Sequence, residues 1–466
     1  MYYACLKHQD QKSNYQNANL ARIPSSVNLE RLQAACYKAL CAHPYLATRI
    51  VLDESGLPCA ESGCFPSLEE SIPIIQINSL DDVRADFART MDPHGEKLWR
   101  CEIYKTGNGE SWLYVDFHHI ITDGFTILLF CRDIERCYEG REPSSESMDG
   151  AAVAVEEKTL REDETKMSEA REWYAKTFCD AADTDSLPLP ECTLDKGAAA
   201  QVLKYYPLSV RKEDIKVIIK RCNVKESTLM QAAWGLLLSA YGAEDKASFC
   251  TVYYGRSRST LSSFTMMVHT LPVYIQTRGD ETLEELFSSL SEQMAATWRY
   301  QYYAYQDAVK DLGLNNQVLF VYQGPVFASK RGLKLEGELL KYQDLREVTP
   351  GWKLASELME NEDGYSMKLS YDTGDFSDAF IAELVKSYDA ILHSMVKAGT
   401  VAEIEYTLPE QVKWLNSLNP DPYANTVGQS LIERFKQHVA ERPDDIFCVA
   451  GDKRLSFAEV TGSPTP

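Results

Sequence analysis

The sequence predicts an α/β protein of two lobes with mixed sheets, on three observations. Its 466 residues are enough for two large domains or about three average ones. Helical and strand patterns alternate up to about residue 180, and a similar succession recurs beyond it. The two successions are separated by a turn-rich stretch, Asp180-Ala181-Ala182-Asp183 through Pro188-Leu189-Pro190, which reads as the connection between lobes.

Composition bounds the function. With 44% hydrophobic and 25% charged residues the chain has the make-up of a soluble globular enzyme. Its longest apolar stretch, residues 125–131, is far too short to span a bilayer, and no signal peptide pattern opens it. A formal charge of −21, without a basic block, argues against nucleic acid as a partner. The acidic clusters Glu156-Glu157 and Glu162-Asp163-Glu164 read as solvated faces or linker. Thirteen cysteines without paired spacing, and without a secretion signal, predict reduced thiols and a cytoplasmic location. No membrane partner is expected.

The most informative segment is His118-His119-Ile120-Ile121-Thr122-Asp123-Gly124. Residues 112–117 ahead of it read as a strand, with Leu113, Val115 and Phe117 on one face and Trp112, Tyr114 and Asp116 on the other. Continued alternation assigns His119 to the apolar face and His118 to the opposite one, so that one imidazole works while the other packs. Beyond Gly124 the spacing turns helical through Ile127, Leu128, Cys131, Ile134 and Tyr138, with Gly140 as the stop signal. Asp123 therefore falls at a helix start, where a carboxylate accepts backbone N–H bonds or holds a cation, and Gly124 permits close backbone approach. Two adjacent histidines taken alone are more often structural than catalytic. Metal binding is weaker still, because neighbouring strand residues point apart, no third ligand follows at i+3 or i+4, and the chain has no Cys-x-x-Cys.

The whole seven-residue pattern resembles the signature of the condensation domains of nonribosomal peptide synthetases, which share their fold with chloramphenicol acetyltransferase. Further landmarks follow in the family's order. Residues His43, Leu46 and Arg49 resemble an early His-x-x-Leu-Arg segment with two extra residues, and Lys97-Leu98-Trp99-Arg100 leads through a hairpin at Thr106-Gly107-Asn108-Gly109 into the histidine strand. Residues 227–234 through Tyr254-Gly255-Arg256 resemble the helix, strand and Gly-Arg turn of the second lobe. Met267-Val268-His269-Thr270-Leu271 resembles the family's Phe-Val-Asn-Thr-Leu, and Tyr305-Gln306-Asp307 its His-Gln-Asp. Val318-Leu319-Phe320-Val321-Tyr322-Gln323 resembles the late strand lining the central channel, and Leu369-Ser370-Tyr371-Asp372 with Phe376 the closing strand and helix.

Three features depart from that pattern. The opening Met1-Tyr2-Tyr3-Ala4 lacks the family's first motif, and no Tyr-x-Asp-Phe is recognisable across residues 156–172. At the other end, residues 431–435 and 451–459 resemble the opening helix and hairpin of an adenylation domain, reached through a linker at Asn419-Pro420-Asp421-Pro422, while residues 461–466 read as turn and coil. No phosphate-cradling glycine loop follows, so ATP chemistry is not expected of this stretch.

The resemblance implies two chloramphenicol acetyltransferase-like lobes forming a V around a central channel, plus a short C-terminal stub. The expected divisions are residues 1–180 for the N-terminal lobe, 181–400 for the C-terminal lobe, 401–425 for a linker and 426–466 for the adenylation start. It implies amide formation by attack of a carrier-bound aminoacyl amine on a carrier-bound acyl or peptidyl thioester. No cofactor or metal is expected on the chain itself, the substrates being carried on the phosphopantetheine of upstream and downstream peptidyl carrier proteins. An adjoining adenylation domain is the third implied partner. His119 is the expected catalytic imidazole, with His118 packing beside it, an Asp123–Arg256 salt bridge orienting it, and Gly124 giving close backbone approach and an oxyanion-facing N–H; His269, Tyr322 and Gln323 are channel candidates. Two alternatives remain open: an epimerisation domain of the same superfamily, against which the adenylation-like stretch argues, and a non-catalytic carrier-docking fragment. A cyclisation domain is disfavoured, because His118-His119 stand where its Asp-rich motif belongs.

Overall fold

The computed structural model describes residues 15–83, 87, 91–95, 97–181, 200–324, 332–341, 343–345, 351–362, 364–418 and 430–462. The expected first-motif position at residues 1–4, most of the lobe connection and the linker at residues 419–422 lie outside them. The chain divides into two compact units, residues 1–406 and 407–466.

The first half of the larger unit contains β1 (Asn19–Ile23), α1 (Leu29–Cys41), β2 (Ile74–Ile77), β3 (Trp99–Thr106), β4 (Ser111–Phe117), α2 (Gly124–Tyr138), α3 (Gly150–Glu162) and α4 (Glu164–Thr177). Its second half contains β5 (Gln201–Pro207), α5 (Lys212–Cys222), α6 (Glu226–Gly242), β6 (Lys246–Tyr253), β7 (His269–Gln276), α7 (Leu283–Arg299), α8 (Tyr305–Leu312) and β8 (Val318–Tyr322). It continues through the short strands β9 (Gly332–Leu335), β10 (Glu338–Lys341) and β11 (Gln343–Asp344) to β12 (Leu354–Glu360), β13 (Tyr365–Asp372) and α9 (Asp378–Met395).

Two mixed sheets result, as expected. The first has the order β11-β1-β4-β3-β2 and the second β5-β13-β12-β8-β6-β7. Pairing is parallel between β2 and β3, and along β8 to both of its neighbours, and antiparallel elsewhere.

The first core follows from two periodicities. Along α1, Leu32, Ala35, Cys36, Ala39 and Leu40 recur at helical intervals and are buried, and Asn28 caps its first turn by accepting from the Arg31 N–H. Along β4 the period is two, so Leu113, Val115 and Phe117 join that core while Tyr114 and Trp112 pack in a separate cluster on the other face. The second core is built on α6, whose residues 228–239 are all buried. A helix apolar all round belongs in an interior, and Trp234 stacks on Phe320 of β8 with ring centres 5.1 Å apart.

Two excursions of the second half reach into the first core and sheet. Leu333, Leu335 and Leu340 of the β9–β10 hairpin lie in the first core, and β11 adds an edge strand to β1 of the first sheet. Phe264, from the loop between β6 and β7, is likewise fully buried in the first core. The reason is physical: alternating leucines need a sheet face to cover, and sequence position does not say whose. The acidic clusters, expected as solvated faces or linker, lie on the largely exposed faces of two consecutive helices, α3 and α4. Asp163 caps the second of these by accepting from the Lys166 N–H.

The smaller unit comprises α10 (Pro409–Leu418), α11 (Leu431–Glu441), a β14–β15 hairpin (Ile446–Ala450 and Lys453–Ser456) and α12 (Phe457–Gly462). Phe435, Phe447 and Phe457 pack against one another within it.

Candidate active site

Strand β4 ends at Phe117, and the chain turns where the histidines stand: His118 makes an isolated antiparallel bridge with Gln16, and the Ile121 N–H returns to the His118 carbonyl at 3.2 Å. The expected alternation therefore stops one residue short of His119. That residue lies in the turn, part-buried, with its Nδ1 atom shielded from solvent.

His118 packs. It is 3% exposed, its Nδ1 accepts from the Ile120 N–H at 3.0 Å, and burial, aided by neighbouring His119, lowers its pKa to about 4. It is a neutral ring near pH 7, holding the turn that presents His119.

Asp123 is the N-cap of α2 and is fully buried. Its Oδ1 accepts from the Thr126 N–H at 2.8 Å, and Thr126 completes a capping box by accepting from the Asp123 N–H. Arg256 donates through Nη2 to both Asp123 oxygens, at 2.9 and 3.1 Å, and the Met267 N–H donates to Oδ2 at 3.0 Å. The expected ion pair is thus present, with both side chains 0% exposed and the partners 133 positions apart in sequence.

A buried guanidinium needs its donors satisfied. Arg256 gives Nη1 to the Ser263 carbonyl at 2.7 Å and Nη2 also to the Thr265 carbonyl and the Thr126 hydroxyl. Its charge lies 5.0 Å from the Phe125 ring centre and 5.9 Å from that of Tyr254. Gly255 makes the turn possible: its φ is +70°, and a Cβ there would fall 1.7 Å from the Met267 carbonyl oxygen. The loop 256–267 is therefore wound around one guanidinium and delivered to one carboxylate.

Gly124 is the exposed first residue of α2. His269 opens β7 opposite Tyr253, part-buried beside Gly255; burial lowers its pKa, with Glu157 raising it and Arg161 lowering it further. Tyr322 packs against the second core, where burial and then Glu226 push its phenol up. Gln323 donates to Glu357 at 3.2 Å. Among the described residues, no hydrogen bond joins either of them to the Asp123–Arg256 cluster.

Sequence reading missed Thr126, Thr265 and the Met267 N–H. Only the first had a local signal, an Asp-x-x-Thr spacing at a helix start. It also missed the carboxylate of Asp116, two residues before His118. This group is fully buried, accepts from Gln16 at 2.6 Å and Tyr114 at 2.9 Å through Oδ2, and has no hydrogen bond to Oδ1 among the described residues. Burial, opposed by these bonds and by Arg100, raises its pKa from 3.8 to about 6. A raised acid lends stability below its unfolded value and loses it as pH climbs through the folded value, here between about 4 and 6, by on the order of 3 kcal/mol. Asp116→Asn is accordingly expected to raise the melting temperature at pH 7.5 relative to the unsubstituted chain and to leave it nearly unchanged at pH 4. Equal shifts at the two pH values would contradict the assignment.

Comparison with known proteins adds the following. The family model described as Condensation domain matches residues 1–413. The chain is 24% identical over 399 residues to tyrocidine synthase 2 of Brevibacillus parabrevis, covering 82% of this chain and 11% of that protein. It is 21% identical over 485 aligned positions to surfactin synthase subunit 1 of Bacillus subtilis strain 168, covering 98% and 13%. The chain thus spans only about a tenth of the curated relatives it matches. Among solved structures, the first condensation domain of the CDA synthetase superposes with a TM-score of 0.66 at 15% identity, over 86% of this chain and 96% of that one. At that identity the likeness speaks to the fold.

Proposed function

The chain belongs to the condensation-domain family, and from that premise we propose that it joins a carrier-bound aminoacyl amine to a carrier-bound acyl or peptidyl thioester. The observation that carries this reading is the histidine turn leading into a helix whose capping carboxylate, Asp123, is bonded by Arg256 and the Met267 N–H from the second half of the chain.

In the proposed step the acceptor nitrogen attacks the thioester carbonyl, a C–N bond forms, the C–S bond breaks, and the donor pantetheine leaves as a thiol. The amine gives up one proton and the departing sulfur takes one up. A thioester is already activated, so no covalent nucleophile is required, and holding the two reactants together supplies much of the rate. His119 is assigned to the reacting nitrogen, as base or as partner of the ammonium that develops on attack. An α-amino group of pKa near 8 is roughly one-tenth neutral at pH 7, which limits how much deprotonation the ring must perform. Stabilising the tetrahedral intermediate is the larger share of its proposed work. Gly124, at the exposed N-terminus of α2, leaves room for backbone or substrate to approach.

His269, part-buried beside Gly255, is the best supported of the channel candidates; Tyr322 and Gln323 are assigned to the wall of the second lobe. The implied partners are two peptidyl carrier proteins and an adenylation domain. The last is supported by the alignment to surfactin synthase subunit 1, which covers 98% of the chain and so runs past the family match ending at residue 413. A cytoplasmic site of action agrees with the cysteine usage, and among the described residues no helix is long and apolar enough to cross a membrane.

The test is intact-protein mass spectrometry of a charged acceptor carrier after mixing with this chain and a charged donor carrier. A gain of the donor acyl mass on the acceptor is the expected result. An unchanged acceptor with tight carrier binding would replace condensation by docking, and inversion of the bound amino acid without mass gain would replace it by epimerisation.

A further inference from the structure

A second buried cluster lies behind the loop 256–267, centred on His43. This ring is 0% exposed and sits between two carboxylates: Nε2 is 2.8 Å from Asp133 Oδ2 and Nδ1 is 2.8 Å from Glu146 Oε1. Each carboxylate already accepts at its other oxygen. Asp133 Oδ1 takes the Ser144 N–H at 2.8 Å and the Ser144 hydroxyl at 2.6 Å, and Glu146 Oε2 takes the Phe264 N–H at 3.1 Å. Ionised carboxylates only accept, so both ring nitrogens must donate, and only an imidazolium does that.

The cluster grips the loop that builds the candidate active site. The Phe264 ring stacks on His43 with centres 3.3 Å apart and planes 7° from parallel. Residues 144–147 hold the same loop, because the Ser262 hydroxyl accepts from the Ser147 N–H at 2.8 Å and the Ser262 N–H donates to the Ser147 hydroxyl at 3.3 Å. The residues on either side of Phe264 supply the Ser263 and Thr265 carbonyls that receive Arg256.

We propose that His43, as an imidazolium clamped by Asp133 and Glu146, is a positioning residue: it fixes the loop 256–267 so that Arg256 and the Met267 N–H reach Asp123, and loss of its proton loosens that loop. The proposal rests on the condensation reading only for its link to rate. Without the proton one ring nitrogen turns a lone pair toward a carboxylate, and the contact becomes repulsive. Burial by itself lowers the affinity of the ring for its proton, but the bonds to Asp133 and Glu146 outweigh that and raise it. Around the ring, α2 contributes Asp133, with Arg136 4.0 Å from its Oδ1, the segment after α2 contributes Glu146, and the loop contributes the Phe264 ring. Arg136 sits on the far oxygen of Asp133 and does not displace the ring.

The experiment follows three readouts against pH from 6 to 10: ring nitrogen shifts of His43 in histidine-labelled protein, assigned with His43→Gln; hydrogen exchange of residues 256–267; and kcat and KM for amide formation between charged carriers. The ring is expected to stay protonated through pH 7, and its deprotonation to coincide with faster exchange of the loop and a fall in kcat at nearly constant KM. That fall opposes the rise expected from a more neutral acceptor amine, so the two effects separate by sign. Glu146→Gln removes one anion and is expected to move all three midpoints down together by about one pH unit. A ring already neutral at pH 7, or a ring that titrates while loop exchange stays flat, overturns the proposal. Should no amide form at any pH while ring and loop still titrate together, the functional reading fails and the positioning role stands.

Discussion

His119→Ala is expected to slow amide formation between charged carriers by at least about a hundredfold while leaving the melting temperature within a degree or so of the unsubstituted chain. The loss is confined to rate because His119 lies in the turn beyond β4, part-buried, and contributes to neither of the two large cores. His118 should behave in the opposite way. That ring is buried and bonded to the turn, so its removal is expected to cost stability as well as rate. Stoichiometric condensation and thermal unfolding on the two variants separate the roles. A His119→Ala chain retaining full activity would remove the imidazole from the chemistry.

The largest structural effect is expected at the pair beneath that turn. Arg256→Ala leaves Asp123 as a buried carboxylate whose counter-ion is gone, and Asp123→Ala leaves a buried guanidinium; each is expected to cost about 3–5 kcal/mol of unfolding free energy. The two losses should not add, because the second deletion removes a charge the first had already orphaned. Denaturant unfolding of both single variants and the double variant gives the coupling directly. A double variant losing the sum of the single losses would mean that the pair is not a unit. The single variants are also expected to lose condensation more steeply than stability, since the Met267 N–H and the capped first turn of α2 converge on the same carboxylate.

How much of this was legible in the chain depends on the range of the interaction. The β4 faces, the α2 start at Asp123 and the hairpin at residues 106–109 are written in neighbouring residues, and they formed where periodicity and turn chemistry put them. The Asp123–Arg256 pair was reached through the family resemblance rather than through physics, for nothing local says which arginine, 133 residues away, will meet a capping carboxylate. His43 illustrates the limit. In sequence it is one residue of a loose landmark before a proline, and its partners Asp133 and Glu146 stand 90 and 103 residues distant. The alternation failed at His119 for a local reason that a strand template does not contain: the Ile121 N–H closes a turn on the His118 carbonyl, and a turn has no faces.

The late return of β11 to the edge of β1 bears on how this protein is made. On the ribosome the strand beginning at Asn19 emerges long before its outer neighbour, Gln343–Asp344. Through that interval, among the described residues, no other strand covers that flank of the first sheet, and an uncovered edge is a template for pairing with other chains. Slow synthesis of the second half should therefore lengthen exposure to aggregation, and chaperone demand during expression should fall sharply once the ribosome has passed the β9–β11 segment.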